Sequence, residues 1–118
     1  MEKTVSGLMY EIRKKTTGLI PRSGQTVFVH YMVASSYENL EDGPWLDSTY
    51  DRGSEFRFQV GNGEVINGID EAIRLIRVLE LYWLIIPPDL AFGKRGVPGI
   101  IPSNTTLYVA LYLMSVMS

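Results

Sequence analysis

Hydrophobic and polar positions alternate from Thr26 to Val33, with Val27, Val29 and Tyr31 on one side and Phe28, His30 and Met32 on the other. That period of two predicts a strand. Looser alternation over Leu8-Met9-Tyr10-Glu11-Ile12-Arg13 predicts an edge strand, followed by turns at Thr16-Thr17-Gly18 and Pro21-Arg22-Ser23-Gly24. Asn39-Leu40-Glu41-Asp42-Gly43-Pro44 reads as a polar loop, and a short strand at Trp45-Leu46 leads into a charged bulge from Ser48 to Gly53. Glu55 to Val60 is extended again, up to a turn at Gly61-Asn62-Gly63. The period then changes. Ile69, Ile73 and Ile76, with Ala72 beside them, share one face of a helix starting near Asn67-Gly68, and Asp70 and Glu71 in its first turn suit the helix dipole. Leu79 to Ile86 and Thr105 to Met117 close the chain as two strands. About five strands and one short helix imply an α+β fold, an antiparallel sheet wrapped across the helix. No internal repeat or low-complexity segment interrupts the pattern, so residues 1–118 are expected to form one domain.

Between the last two strands the chain carries Ile86-Pro87-Pro88-Asp89-Leu90-Ala91-Phe92-Gly93. The double proline removes two backbone donors and fixes two φ angles, ending the strand. A long loop punctuated by Gly93, Gly96, Pro98, Gly99 and Pro102 then holds the paired Ile100 and Ile101. Apolar side chains on a loop need cover, so this loop is expected to form one wall of an apolar pocket.

Composition narrows the chemistry. The chain has no cysteine and a single histidine, His30, which argues against a disulfide framework, a zinc site or a histidine-based triad. A net charge of −2 and a pI near 5.3 argue against general nucleic-acid binding, and Arg13-Lys14-Lys15 reads as a solvated turn. No run approaches the ~18–20 apolar residues of a membrane span. The chain reads as soluble and cytoplasmic, as would a mature form without its signal. Asn104-Thr105-Thr106 matches a glycosylation acceptor but is expected to serve as a turn before the last strand; Gly61-Asn62-Gly63 lacks the Gly-Lys-Ser/Thr of a phosphate loop. His30 reads as a strand residue, packed or solvent-facing.

Several segments agree in order and spacing: Val29-His30-Tyr31, Leu46-Asp47-Ser48-Thr49-Tyr50-Asp51-Arg52-Gly53, Phe56-Arg57-Phe58, Gly63-Glu64-Val65-Ile66-Asn67-Gly68, the proline-rich run above, and Gly99-Ile100-Ile101-Pro102 with Asn104-Thr105-Thr106-Leu107. Together they resemble the FKBP-type peptidyl-prolyl cis-trans isomerases, from about Gly7 to Met114. The resemblance implies the FKBP-like fold and non-covalent catalysis of prolyl rotation with no cofactor and no metal. It also implies proline-containing peptides or proteins, and immunosuppressant macrolides, as partners. Carried over, the polar set is Tyr31, Asp47 and Arg52: the last two pair across the bulge, and the Tyr31 hydroxyl reaches Asp47. Phe92 joins them as a catalytic position. The substrate walls would be Leu46, Phe56, Val65, Ile66, Ile69, Ile100, Ile101 and Val109, with backbone groups near Glu64 and Ile66 meeting the ligand.

Two sets of positions depart from that family. In the pocket, Ile69 stands where a tryptophan usually forms the floor, Leu46 and Val109 occupy usual aromatic positions, and Phe92 replaces a tyrosine that donates to the ligand carbonyl. The resemblance therefore implies weakened catalysis. On the sheet, Leu81-Tyr82-Trp83-Leu84-Ile85-Ile86 and Leu107 to Met114 are apolar on both faces, whereas a sheet with one wet side alternates. In the family register Tyr82, Leu84, Ile86, Leu107, Val109, Leu111 and Leu113 face the helix. Leu81, Trp83, Ile85, Tyr108, Ala110 and Tyr112 then point outward, an apolar patch of interface size. A homodimer packing sheet on sheet is the leading expectation, a protein partner the second, and cover by the chain's own N-terminal segment the third. No flanking basic stripe suggests a membrane surface. A non-catalytic, divergent or redesigned interaction module is the alternative to an isomerase.

Overall fold

A computed structural model describes residues 1–117. Seven strands form one antiparallel sheet: β1 (Glu2–Lys3), β2 (Met9–Lys14), β3 (Thr26–Ala34), β4 (Asp47–Ser48), β5 (Phe56–Gln59), β6 (Leu81–Ile86) and β7 (Leu107–Met117). Their order is β1-β2-β6-β7-β3-β4, with β5 also pairing with β3. The one addition to the expected strands, the two-residue β1, is too short to carry a periodic signal. The expected Trp45-Leu46 strand is displaced to Asp47–Ser48, where Val33 pairs with Asp47 and Met32 with Ser48.

The predicted helix, α3 (Asn67–Ile73), lies on one face of this sheet. Ala72, Ile73 and the following Ile76 are fully buried against Val27, Val29, Leu84, Ile86, Leu111 and Leu113. Gly68 permits the close approach, since a Cβ there would fall 2.5 Å from Ile86 Cγ2 and 3.2 Å from the Leu90 carbonyl oxygen. Asp70 fixes the helix start, accepting the Gly61 N–H at 2.7 Å and Arg74 Nη2 at 3.0 Å. Two single-turn helices, α1 (Asn39–Asp42) and α2 (Thr49–Arg52), occupy the stretches read as a polar loop and a charged bulge.

Along β7 the inward positions are Leu107, Val109, Leu111 and Leu113, and then Val116. Phe28 pairs with Ser115 but Val29 with Leu113, so Met114 is an extra residue that shifts the alternation by one. This bulge carries a long strand past the end of the core without turning its apolar side to water.

The outer face differs from expectation. Trp83 is only 8% exposed and Ala110 1%, because the segment between β3 and β4 folds across them. Leu40 of α1 is the buried plug, Tyr37 meets the Trp83 ring edge-on at 5.2 Å, and Trp45 packs beside them. The Tyr37 hydroxyl donates to Glu11 Oε1 on β2 at 2.7 Å, latching the segment down. Arg13 lies 3.9 Å over the Trp83 ring and pairs with Glu11 at 3.2 Å, and Lys14 Nζ donates to the Tyr112 hydroxyl at 3.1 Å. The first two residues of the basic cluster are thus strand residues roofing aromatic rings, and not a solvated turn. The expected open patch is closed at its centre, with Leu81, Ile85, Tyr108 and Tyr112 half-buried around it. The cover is the chain's own: chiefly the β3–β4 connection, joined by Arg13 and Lys14 of the N-terminal strand β2 over the Trp83 and Tyr112 rings. With Trp83 and Ala110 covered, the outer face offers less apolar surface than the sequence pattern alone suggests.

Candidate functional site

The helix-bearing face of the sheet is only partly covered. Seven helical residues rise about 10 Å, whereas the nine residues of β3 extend about 30 Å. Beyond the N-terminal end of α3 the apolar face opens into a hollow of about 700 Å³, within the range of small-ligand sites. Its walls are Val29, Tyr31 and Val33 of β3, Phe56 and Phe58 of β5, and Leu107, Val109 and Leu111 of β7. Leu46 and Asp47 close one side. Glu64, Val65, Ile66 and Ile69 approach from the helix entrance, and Phe92, Val97, Ile100 and Ile101 from the β6–β7 loop.

That loop is held as a wall by its own backbone. Val97 and Ile101 exchange both hydrogen bonds at 2.7 and 2.8 Å, and the Asn104 N–H donates to the Gly93 carbonyl at 2.8 Å across the loop base. Gly96 has φ +61°, and a Cβ there would sit 2.3 Å from the Ile101 carbonyl oxygen, so no side chain fits. Thr105 Oγ1 donates to the Pro102 carbonyl at 2.8 Å, so the Asn104-Thr105 pair shapes the turn into β7. The strand thus ends at Pro87, a short 3-10 turn (Pro88–Leu90) follows, and the loop returns across the hollow.

Three polar side chains converge at the rim. The Tyr31 hydroxyl donates to Asp47 Oδ2 at 3.0 Å and accepts from Arg52 Nη2 at 2.8 Å. Arg52 Nη1 also pairs with Asp47 Oδ1. Burial is the main cause that raises the Tyr31 phenol above its ordinary pKa, followed by the opposing pull of Arg52 and the push of Asp47. The hydrogen bond to Tyr31 likewise pushes the Arg52 guanidinium upward, so it stays cationic. Both members of the ion pair are more than two-fifths exposed, so the pair orients the rim more than it stabilises the fold. Phe56 braces the Tyr31 ring edge-on at 5.8 Å and packs on Phe58.

Every pocket residue carried over from the resemblance lines this hollow except Arg52, which contacts the lining residues Tyr31 and Asp47 at the rim. Leu46, Phe92 and Ile100 are the exposed lips, at 45, 38 and 62%. Sequence reasoning missed Val29, Val33, Phe58, Val97, Leu107 and Leu111, which form the deeper walls. Strand periodicity could place those from β3, β5 and β7 only as core, because a core residue and a pocket wall carry the same signal.

Comparison with known proteins agrees with this architecture. The profile described as FKBP-type peptidyl-prolyl cis-trans isomerase matches residues 18–113. The chain is 44% identical over 96 residues to peptidyl-prolyl cis-trans isomerase Fkbp12 of Drosophila melanogaster, covering 81% of this chain and 84% of that protein. It is 37% identical over 118 residues to FK506-binding protein 1 of Kluyveromyces lactis, covering 98% and 99%. Among solved structures, FkpA from Escherichia coli superimposes with a TM-score of 0.84 at 34% identity; the match covers 98% of this chain and about half, 51%, of that one. With the fold, the hollow and the rim in agreement, the chain belongs to the FKBP-type peptidyl-prolyl cis-trans isomerase family.

Proposed function

We propose that this protein binds a prolyl residue in the hollow and accelerates rotation about the preceding peptide bond, at a rate below that of relatives with an aromatic pocket floor. The observation that carries the proposal is an apolar hollow of about 700 Å³ with a polar rim, Tyr31–Asp47–Arg52, at its mouth. Prolyl rotation needs neither nucleophile nor metal. The barrier of about 18–20 kcal/mol arises from amide resonance, which is lost as ω twists towards 90°. A dry site that holds the ring and favours the twisted amide over both planar forms lowers that barrier. The apolar walls strip water from the ring and the amide, and the rim supplies oriented dipoles at one edge.

The weakening follows from the side chains present. Phe92 reaches the lip without a hydroxyl, so it gives the substrate carbonyl no hydrogen bond, a loss of about 1 kcal/mol. Ile69 and Val109 offer branched aliphatic surfaces where a flat ring would restrain the pyrrolidine. The relatives named FK506-binding proteins support macrolide binding at the same hollow, again with reduced affinity. A protease-coupled isomerisation assay tests the reading. Turnover above the uncatalysed rate, raised severalfold by Ile69→Trp with Phe92→Tyr, is expected, since one added hydrogen bond contributes about 1 kcal/mol. An uncatalysed rate at high protein concentration, with or without that pair of changes, rejects it.

A further inference from the structure

A residue outside the lining of the hollow, Thr49, is hydrogen-bonded to the backbone of the rim tyrosine. β4 pairs with β3 only at Met32 and Val33, and the chain then turns into α2. On the opposite edge of β3, Tyr31 is registered with Leu111 of β7. The N–H and C=O of one strand residue point to the same edge. For Tyr31 that edge is where β4 has already ended, so a continued ladder is unavailable to both groups. The Thr49 side chain takes the place of the missing strand. Its Oγ1 accepts the Tyr31 N–H at 2.9 Å and faces the Tyr31 carbonyl at 3.3 Å. His30 Nδ1 lies 2.9 Å from the same oxygen, and the His30 ring is held by stacking on Tyr50 at 4.2 Å. With His30 protonated on Nδ1, the oxygen accepts twice, from Tyr31 and His30, and its own proton goes to the Tyr31 carbonyl. Every contact is then satisfied. Thr49 is 0% exposed, so no water substitutes for it.

We infer that Thr49 is a positioning residue for catalysis: its hydroxyl clamps the Tyr31 backbone to the start of the helical turn that carries Arg52, and so fixes the phenol against its two rim partners. Thr49 is the first residue of α2 and Arg52 the last, so a single turn joins the clamp to the guanidinium. Removing the hydroxyl leaves a buried N–H and C=O without partners, and the strand relaxes by tilting Tyr31. The inference rests on the isomerase reading above.

The test is a cycle of Thr49→Val, Thr49→Ser, Tyr31→Phe and the Thr49→Val/Tyr31→Phe pair, measured as kcat/KM for a prolyl peptide. Thr49→Val, which keeps the shape and loses the hydroxyl, should lower kcat/KM about tenfold in the Tyr31 protein and less than about twofold in the Tyr31→Phe background. Thr49→Ser should recover most of the loss. An equal loss in both backgrounds, or no loss at all, overturns the inference, because a merely structural role would not depend on the phenol. A second readout is independent of turnover. In protein labelled with ¹³Cζ-tyrosine, the Tyr31 resonance, assigned by its absence in Tyr31→Phe, should shift in Thr49→Val and return in Thr49→Ser. A wild-type protein with no turnover rejects the isomerase reading, while this resonance still decides the clamp: an unmoved Tyr31 signal refutes it.

Discussion

The two faces of the sheet present the same apolar wealth and end in opposite states. On one, α3 covers part of the surface and leaves a hollow; on the other, the β3–β4 connection closes down on Trp83 until 8% of it remains exposed. The difference lies in what each connection carries. The cover of the outer face brings Tyr37, Leu40 and Trp45 as plugs and latches them through Tyr37 to Glu11. The loop over the inner face is instead braced against itself, through Val97–Ile101 and Asn104–Gly93, so it stands beside the hollow without filling it. Apolar patterning therefore states which surfaces need cover. Which connection supplies it, and whether it fills or merely walls the space, depends on where a few side chains and hydrogen bonds fall.

The sharpest way to separate the faces is to damage the closed one. Trp83→Ala should cost about 3 kcal/mol in denaturant unfolding, the usual scale for a buried tryptophan, and leave kcat/KM nearly unchanged below the transition. A large change in activity at full folding would mean the faces are coupled. Damage to the open face should give the reverse. Asp47→Ala removes an acceptor from the rim and should lower kcat/KM about tenfold. It should shift the unfolding midpoint little, because the pair is exposed.

Alkaline unfolding probes the core of the helix-bearing face. Burial pushes the Tyr82 phenol up to about 12, and it donates to the Leu75 carbonyl at 3.2 Å. A raised folded value means its stabilising contribution is complete below the ordinary value of 10 and is lost as pH rises from there towards 12. Tyr82→Phe should flatten that alkaline decline in urea midpoints. The smallest effect is expected at the latch. The Tyr37 hydroxyl holds the Glu11 carboxyl below its ordinary 4.5, so the latch is intact above that value and weakens as pH falls through the lowered one. Tyr37→Phe should reduce the acid dependence of stability below pH 4.5 without altering isomerisation.

Much of this was legible beforehand, for identifiable reasons. The alternation of Thr26 to Val33 and the continuous apolar runs of β6 and β7 marked the central strands, and Ile69, Ala72 and Ile73 marked the helix. The rim was legible through resemblance, because Tyr31, Asp47 and Arg52 sit in segments whose order is distinctive. What escaped had no regular period. Tyr37 and Leu40 are three residues apart, a helical offset, but Gly43-Pro44 ends that turn before Trp45, so the three never form one continuous periodic run and their joint role as a lid was hidden. Thr49 looked like one polar residue in a charged bulge, and only the early end of β4 gives its hydroxyl a backbone to hold. The bulge at Met114 was likewise invisible, since an apolar residue inside an apolar strand gives no sign of being extra.

Exchange NMR on a short prolyl peptide tests the central claim most directly, because it reads cis–trans interconversion and the place of binding in one sample. The account predicts cis–trans exchange faster than in free peptide, with peptide-induced shifts at Ile69, Ile101 and Val109 and none at Trp83. Exchange at the free-peptide rate, or shifts confined to the outer face, would contradict it.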